Sequence, residues 1–487
     1  MKYISTRANY EPVEAAKAIT LGMVPGGGLF LPESFPAFAP QTGLSYQELA
    51  KRIFALYLTD FSEAEISDIV EAAYCAEAFP AEVAPVVKLD DTAILELWHG
   101  PTAAFKDMAL QILPHFMTAS RRKCGDNDET VILVATSGDT GKAALEGFKD
   151  VEGISIICFY PKDGVSALQE RQMLTTGGNN TSVIGVIGNF DDCQGAVKRL
   201  FADEELKTEL KTAGKVFSSA NSINWGRLLP QIVYYYHGYA QMVEQGMLEM
   251  GEKINITVPT GNFGNILAAY YAWKMGLPVG KFICASNENN VLTDAIMAGV
   301  YNTDRFFYKT DSPSMDILVS SNFERLLYEL CEHNGEKVAQ LMSDLQEKGV
   351  YEVPDAIREK FFGGCADGEK AAAALKACYE KYNYLCDPHT AVAVAVAEDY
   401  RAASGDLAPM LIASTANPYK FPAAVCAALG IDCADDDVMA IAASLSAATA
   451  TEMHRALTGV DKLPILHDTV IDRADIAECV KKQLGVE

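Results

Sequence analysis

Apolar positions along this chain follow two rhythms, and the change between them divides the sequence. After a turn-rich opening, YQELAKRIFALYL and SEAEISDIVEAAYC carry apolar residues at helical spacing, which predicts a mainly helical N-terminal region over 1–84. FPAEVAPVV follows, and its two prolines and small residues predict a linker. Beyond it, short β-branched runs alternate with helix-like stretches. VILVA (131–135) precedes GKAALEGFKD, and ISIICFY (154–160) and TSVIGVIG (181–188) come next. INITVPT (254–260) leads into NILAAYYAWKMG, and KFICAS (281–286) and MLIAST (410–415) complete the set. Apolar strands separated by helices predict an α/β fold with parallel sheets covered on both faces. Ligands of such sheets bind beyond the carboxyl ends of the strands, so the chemistry is sought immediately after each run.

Composition narrows the functional classes. The 487 residues allow two to four domains and a large core. A net charge of −25 and a pI near 4.7 oppose partnership with nucleic acid or an anionic membrane. No run approaches the ~18 apolar residues of a membrane span. The opening MKYISTRANYEPVEAAKA lacks the apolar centre of a secretory signal, so a cytoplasmic location is expected. The 12 cysteines are scattered without a C-x-x-C pair, and the seven histidines show no ligand spacing, so no metal site is predicted. Any anionic ligand must therefore find a local cationic pocket in an acidic protein.

Four segments at strand ends carry candidate chemistry. ATSGDTGKAALEG follows VILV and places a glycine-rich turn and the hydroxyls of Thr136, Ser137 and Thr140 before a helix, an arrangement suited to an anion. Its G-x-x-G-K-A spacing does not match the nucleotide-binding G-x-x-x-x-G-K-[ST] pattern. PTGNFGN (259–265) repeats the strand–turn–helix arrangement; Gly261 and Gly264 allow a ligand to approach the backbone, and Asn262 and Asn265 offer side-chain amides. In LWHGPTAAFKDMALQ (97–111), Lys106 is expected near a helix start in apolar surroundings, both of which favour the neutral amine that Schiff-base chemistry requires. STANPYKF (414–421) sets Thr415 at the end of MLIA. Taken singly, each has a bland counterpart: an ordinary turn, a surface lysine, or a hydroxyl bonded to nearby backbone.

Together these segments resemble the threonine synthase family. VPGGGLFLPESFP (24–36), HGPTAAFKD, ATSGDTGKAA, ANSINWGR (220–227), PTGNFGN, SPSMDILVSSNFERLL (312–327), DPHTAVA (387–393) and STANPYKF occur in the family's order. The resemblance implies a pyridoxal-phosphate enzyme of the tryptophan-synthase-β-like fold (fold type II), with large and small α/β lobes. It places residues 85–110 and 225–487 in the larger lobe, the latter with a C-terminal extension, and 111–224 in the smaller. It implies that Lys106 carries the cofactor as a Schiff base. Gly261, Asn262, Phe263, Gly264 and Asn265 would cradle the cofactor phosphate, Asp139 would approach the ring hydroxyl, and Thr415 would meet the pyridine nitrogen. Ser137 and Thr140 would meet the substrate carboxylate, and Asn221, Ser222 and Arg227 its phosphate. The implied reaction converts O-phospho-L-homoserine and water into L-threonine and phosphate by γ-elimination and β-addition. Two positions depart from the family pattern: Asn417, where His is frequent, and Ala393, where Gly is frequent. Alternatives are a phospho-lyase or serine/threonine dehydratase on the same fold, distinguished by a 2-oxo acid product, and a non-catalytic ligand-binding relative, distinguished by the absence of turnover. A monomer and a homodimer are both compatible with the sequence.

Overall fold

In a computed structural model, which describes residues 1–433 and 437–486, every one of the six apolar runs lies in a strand. Two sheets form. The larger has the order Phe361–Cys365, Val279–Ser286, Ile254–Pro259, Met410–Ser414, Thr92–Glu96, Val86–Leu89, parallel except for its last pair. The smaller is wholly parallel: Val470–Asp472, Thr181–Ile187, Ile154–Pro161, Glu129–Ala135, Lys215–Ser218. Strands such as Ile254–Pro259 and Met410–Ser414 are buried at every position, because helices cover both faces.

Helices Ala15–Leu21, Tyr46–Tyr57 and Glu63–Ala73 make up most of the N-terminal region. Ser45 with Glu48, and Ser62 with Glu65, form reciprocal caps that satisfy otherwise orphaned N–H groups at the last two. Their apolar faces join the main core, where Tyr57 meets Trp225 at 5.5 Å between rings. An antiparallel pair, Tyr3–Ser5 with Phe30–Pro32, was not legible in the turn-rich opening.

Two expectations need correction. The stretch read as a linker is irregular as far as Pro85, but its last two residues open the strand Val86–Leu89, which turns through Asp90 (φ 56°) and pairs back onto Thr92–Glu96. Nor does the C-terminal extension stay with the larger lobe. Val470–Asp472 extends the smaller sheet beside Thr181–Ile187, and Ile476, Val480 and Leu484 pack into that sheet's core. The reason is apolar cover: these side chains face the helical layer over Val131, Leu133 and Ile184. Among the described residues no group of three or more His, Cys, Asp or Glu is arranged to hold a metal ion, and no helix is long and apolar enough to cross a membrane.

Candidate active site

The turn presenting Lys106 is built by its own motif. Asp107 accepts hydrogen bonds from the Thr102 N–H (2.8 Å) and hydroxyl (2.6 Å), and a Cβ at Gly100 would collide with the Asp107 side chain. Ala104 bridges to Ala416, and the Phe105 N–H donates to the Thr415 carbonyl at 2.8 Å, which fastens this turn to the end of Met410–Ser414. Lys106 is buried. Its Nζ donates to Ser314 Oγ at 3.3 Å and lies 3.8 Å from Asp139 Oδ2. Burial pulls the ammonium down to about 8; Asp139 opposes this, and the positive charges of Lys420 and Arg227 reinforce it. The helix that follows Lys106 spans only Asp107–Leu110, so two nearby cations, rather than a helix dipole, join burial in favouring the free amine.

Asp139 comes from the smaller lobe, just beyond Glu129–Ala135, so lysine and carboxylate meet across the two sheets. Gly138 reaches this turn at φ 142°, with the Gln169 amide pressed where a Cβ would stand. Gln169 Nε2 donates to Asp139 Oδ1 at 2.9 Å. Thr136 is spent on the turn: its hydroxyl oxygen accepts from the N–H groups of Gly138 and Gly141. Ser137 and Thr140 are half-buried, and neither hydroxyl bonds another described residue.

PTGNFGN forms a strand-to-helix turn whose shape would suit an anion cradle. Phe263 adopts a left-handed conformation (φ 62°) immediately before helix Gly264–Met275, whose first N–H groups no side chain caps. Its ring is buried against Phe323 and Phe361, at 5.1 and 5.9 Å, so Phe263 offers the cradle only its backbone. Asn265 Oδ1 accepts from the hydroxyls of Tyr234 and Tyr235, while its buried Nδ2 has no partner. A Cβ at Gly261 would strike the Ser314 carbonyl. At Gly264 the nearest atoms would be Asn322 Nδ2 at 3.4 Å and Gln231 Nε2 at 3.6 Å, so its missing Cβ leaves space beside the helix start. Asn262 is exposed, its Oδ1 accepting from Ser321.

Arg227 starts in the buried first turn of helix Trp225–Glu244. Nη1 donates to the Ala220 carbonyl at 2.7 Å, Nε is unpartnered, and no carboxylate of the described residues pairs with it. Burial pulls this guanidinium down to about 10. A buried cation without a counter-ion is costly unless an anion binds there. Asn322 Nδ2 donates to the carbonyls of Ser222 (3.2 Å) and Asn262 (3.1 Å), tying the Arg227 loop to the cradle; Asn221 stands half-buried beside Ser222.

Three family profiles match consecutive parts of the chain: "Threonine synthase N terminus" over residues 2–74, "Pyridoxal-phosphate dependent enzyme" over 86–350, and "Threonine synthase, C-terminal" over 390–462. A threonine synthase of Pseudomonas aeruginosa is 39% identical, over 87% of this chain and 90% of its own length. The chain belongs to the threonine synthase family. A crystallographic PLP-bound threonine synthase from Brucella melitensis superposes with a TM-score of 0.87 at 34% identity, covering 99% of this chain and 98% of that one. Threonine synthase-like 1 of Homo sapiens is 37% identical over 96% of this chain, which spans 63% of that longer relative.

Within this threonine synthase family member, the two departures have plain structural settings. Asn417 Oδ1 accepts from the Tyr419 N–H at 3.0 Å and caps the short turn Pro418–Lys420. Ala393 is fully buried on helix Pro388–Ser404. The sequence reading missed Ser314 and Lys420. Ser314 touches Lys106, and its backbone N–H is held by His389 Nε2 at 3.1 Å, with Asp387 bonding the other ring nitrogen at 2.7 Å. Lys420 Nζ lies 2.8 Å from Asp139 Oδ1. Both stood inside quoted motifs, but nothing local marks a serine or a lysine as facing a site that lies elsewhere in the chain.

Proposed function

We propose that this chain is a pyridoxal-phosphate-dependent threonine synthase, converting O-phospho-L-homoserine and water into L-threonine and phosphate. The observation that carries the reading is Lys106: a buried amine whose ammonium is pulled down to about 8, set between two lobes at the carboxyl ends of their strands. The surroundings fit the cofactor. The orphaned Asn265 Nδ2 and the start of helix Gly264–Met275 suit its phosphate, together with the backbone of Gly261, Asn262 and Phe263. The Thr415 hydroxyl, which bonds no described residue, suits the ring nitrogen, and Asp139 the ring hydroxyl. When bound, pyridoxal phosphate supplies an electron sink for a carbanion on the substrate.

The remaining chemistry belongs to the chain. As a free amine Lys106 would take the proton from Cα and, once relieved of it, the proton from Cβ, which its flexible four-carbon stem allows it to reach in turn. Ser137 and Thr140 hold the substrate carboxylate. Arg227, with Asn221 and Ser222, receives the phosphate that leaves Cγ, and its planar donors match two phosphate oxygens. Water then adds at Cβ, its spare proton leaving with the phosphate; of the two protons Lys106 removed, one is delivered to Cγ to complete the methyl group and the other returns to Cα. As a neutral group Thr415 does not enforce a protonated pyridine nitrogen, which limits the sink and disfavours transamination. The partners of this reading are the small substrate and no nucleic acid or membrane, in a cytoplasmic protein acting as a monomer or homodimer.

The test is to incubate the purified chain with pyridoxal phosphate and O-phosphohomoserine and to assay phosphate and threonine together. Equal yields are expected. Phosphate released with 2-oxobutyrate instead of threonine would assign the phospho-lyase alternative, and no release of phosphate would end the reading.

A further inference from the structure

Lys106 is not the only lysine on Asp139. Lys420, 1% exposed, places its Nζ 2.8 Å from Asp139 Oδ1 and donates to the Thr102 carbonyl at 2.9 Å. The other carboxylate oxygen, Oδ2, faces Lys106 at 3.8 Å and Ser314 Oγ at 3.4 Å. One anion thus serves two cations, and the closer one is Lys420. The two lysines arrive on separate segments, HGPTAAFKD and STANPYKF, which the Ala104–Ala416 bridge holds side by side.

We propose that Lys420 is a positioning residue for the Lys106 amine: it occupies Asp139 so that Lys106 is left without a full counter-ion and stays available as a free base. This rests on the reading of Lys106 as the cofactor lysine. The electrostatics follow from geometry. An Asp139 facing Lys106 alone would stabilise its ammonium; a second ammonium at hydrogen-bond distance from the same carboxylate offsets part of that attraction by its own repulsion. The other charged groups acting on Lys106 are Arg227, which also favours the neutral amine, and Asp107, which opposes it while bonded to Thr102. On Asp139, burial favours protonation, but Lys420, Lys106 and the Gln169 amide hold the carboxyl well below the usual carboxylate range. The anion shared by the two lysines therefore stays charged at working pH. Asn417 caps the turn carrying Lys420, and the Thr102 carbonyl that receives it belongs to the loop closed by Asp107.

The test reads the amine directly. Full-length protein freed of cofactor with hydroxylamine is labelled with a trace acylating reagent across a pH series, and the labelling of Lys106 is followed by mass spectrometry of its peptide. The wild-type midpoint should lie near 8. Lys420→Gln should raise it by about one unit or more, and Lys420→Arg, which keeps the charge, should not. Reattachment of pyridoxal phosphate near neutral pH should slow about tenfold in Lys420→Gln, since each unit removes about nine-tenths of the neutral amine. An unmoved or lowered midpoint in Lys420→Gln, or the same rise in Lys420→Arg, overturns the proposal. If circular dichroism shows that the Lys420 variants do not fold, Asp139→Asn decides: the midpoint should fall, and one that stays or rises overturns the proposal. Borohydride labelling of a lysine other than Lys106 would refute the cofactor reading while leaving the midpoint comparison valid.

Discussion

At the scale of single residues, two side chains have surroundings that fit the proposed chemistry. Lys106 spends a buried amine on one 3.3 Å hydrogen bond and a distant carboxylate, a poor use of a lysine unless it reacts. Borohydride reduction of the holoprotein should fix the cofactor to the peptide containing Lys106. Lys106→Ala should leave no fixed cofactor and no turnover, with an unchanged circular dichroism spectrum; label on another lysine would be the contrary result. Arg227 has an unpartnered Nε and no counter-ion among the described residues. Arg227→Ala removes charge-assisted hydrogen bonds worth roughly 1.5–3 kcal/mol. Expressed in kcat/KM for O-phosphohomoserine, that is a fall of about 10–150-fold. Cofactor content should stay normal, because the cradle of residues 261–265 draws on a different helix start. Loss of cofactor in place of substrate affinity would exchange the two phosphate assignments.

At the scale of elements, the strand-to-helix turn of residues 259–265 shows how much of a motif is packing. Sequence alone makes Gly261 and Gly264 equivalent. Packing separates them, since the Ser314 carbonyl occupies the place of a Cβ at Gly261, whereas Gly264 borders the flexible ends of Asn322 and Gln231. Gly261→Ala must push two backbone segments apart at a cost of about 1–3 kcal/mol, a weakening of cofactor binding by about 5–150-fold if the strain falls on the bound state. Gly264→Ala should fold normally, and any loss of cofactor affinity there reports a bound group at the helix start. Titrating both variants with pyridoxal phosphate and comparing their melting temperatures separates these effects; Gly264→Ala destabilising the fold more than Gly261→Ala would contradict the geometry. The same packing holds Phe263 left-handed, a conformation costing of order 1–3 kcal/mol that its buried ring offsets.

At the scale of the whole molecule, the chain leaves the smaller lobe near residue 218 and returns to it near residue 470. That return covers the edge strand Thr181–Ile187 and contributes Ile476, Val480 and Leu484 to the core beneath helix Phe190–Ala202. Ile476→Ala should cost about 2–5 kcal/mol of stability in denaturant unfolding, as for other large-to-small changes in cores. Hydrogen exchange should accelerate in strands Thr181–Ile187 and Ile154–Pro161 before the larger sheet. A loss below a few tenths of a kcal/mol would mean that the C-terminal helix only rests on the surface.

The sequence by itself determined what is local in physics. Six apolar runs became strands, because a β-branched run between helices can be buried on both faces only in a parallel sheet. The motifs after those runs marked where candidate chemistry is sought, because glycine turns at helix starts and a lysine in apolar surroundings suit an anion and a reactive amine. Tertiary structure decided whatever depends on partners distant in the chain. Ser314 touches Lys106 across 208 positions, and Lys420 reaches the Thr102 carbonyl across 318; their roles come from where folding leaves them. Val86–Leu89 and Val470–Asp472 are strands because a neighbour supplies hydrogen bonds and apolar cover. The lowered pKa of Lys106 likewise has its origin in burial and in the charges of Lys420 and Arg227, which only the folded chain brings to it.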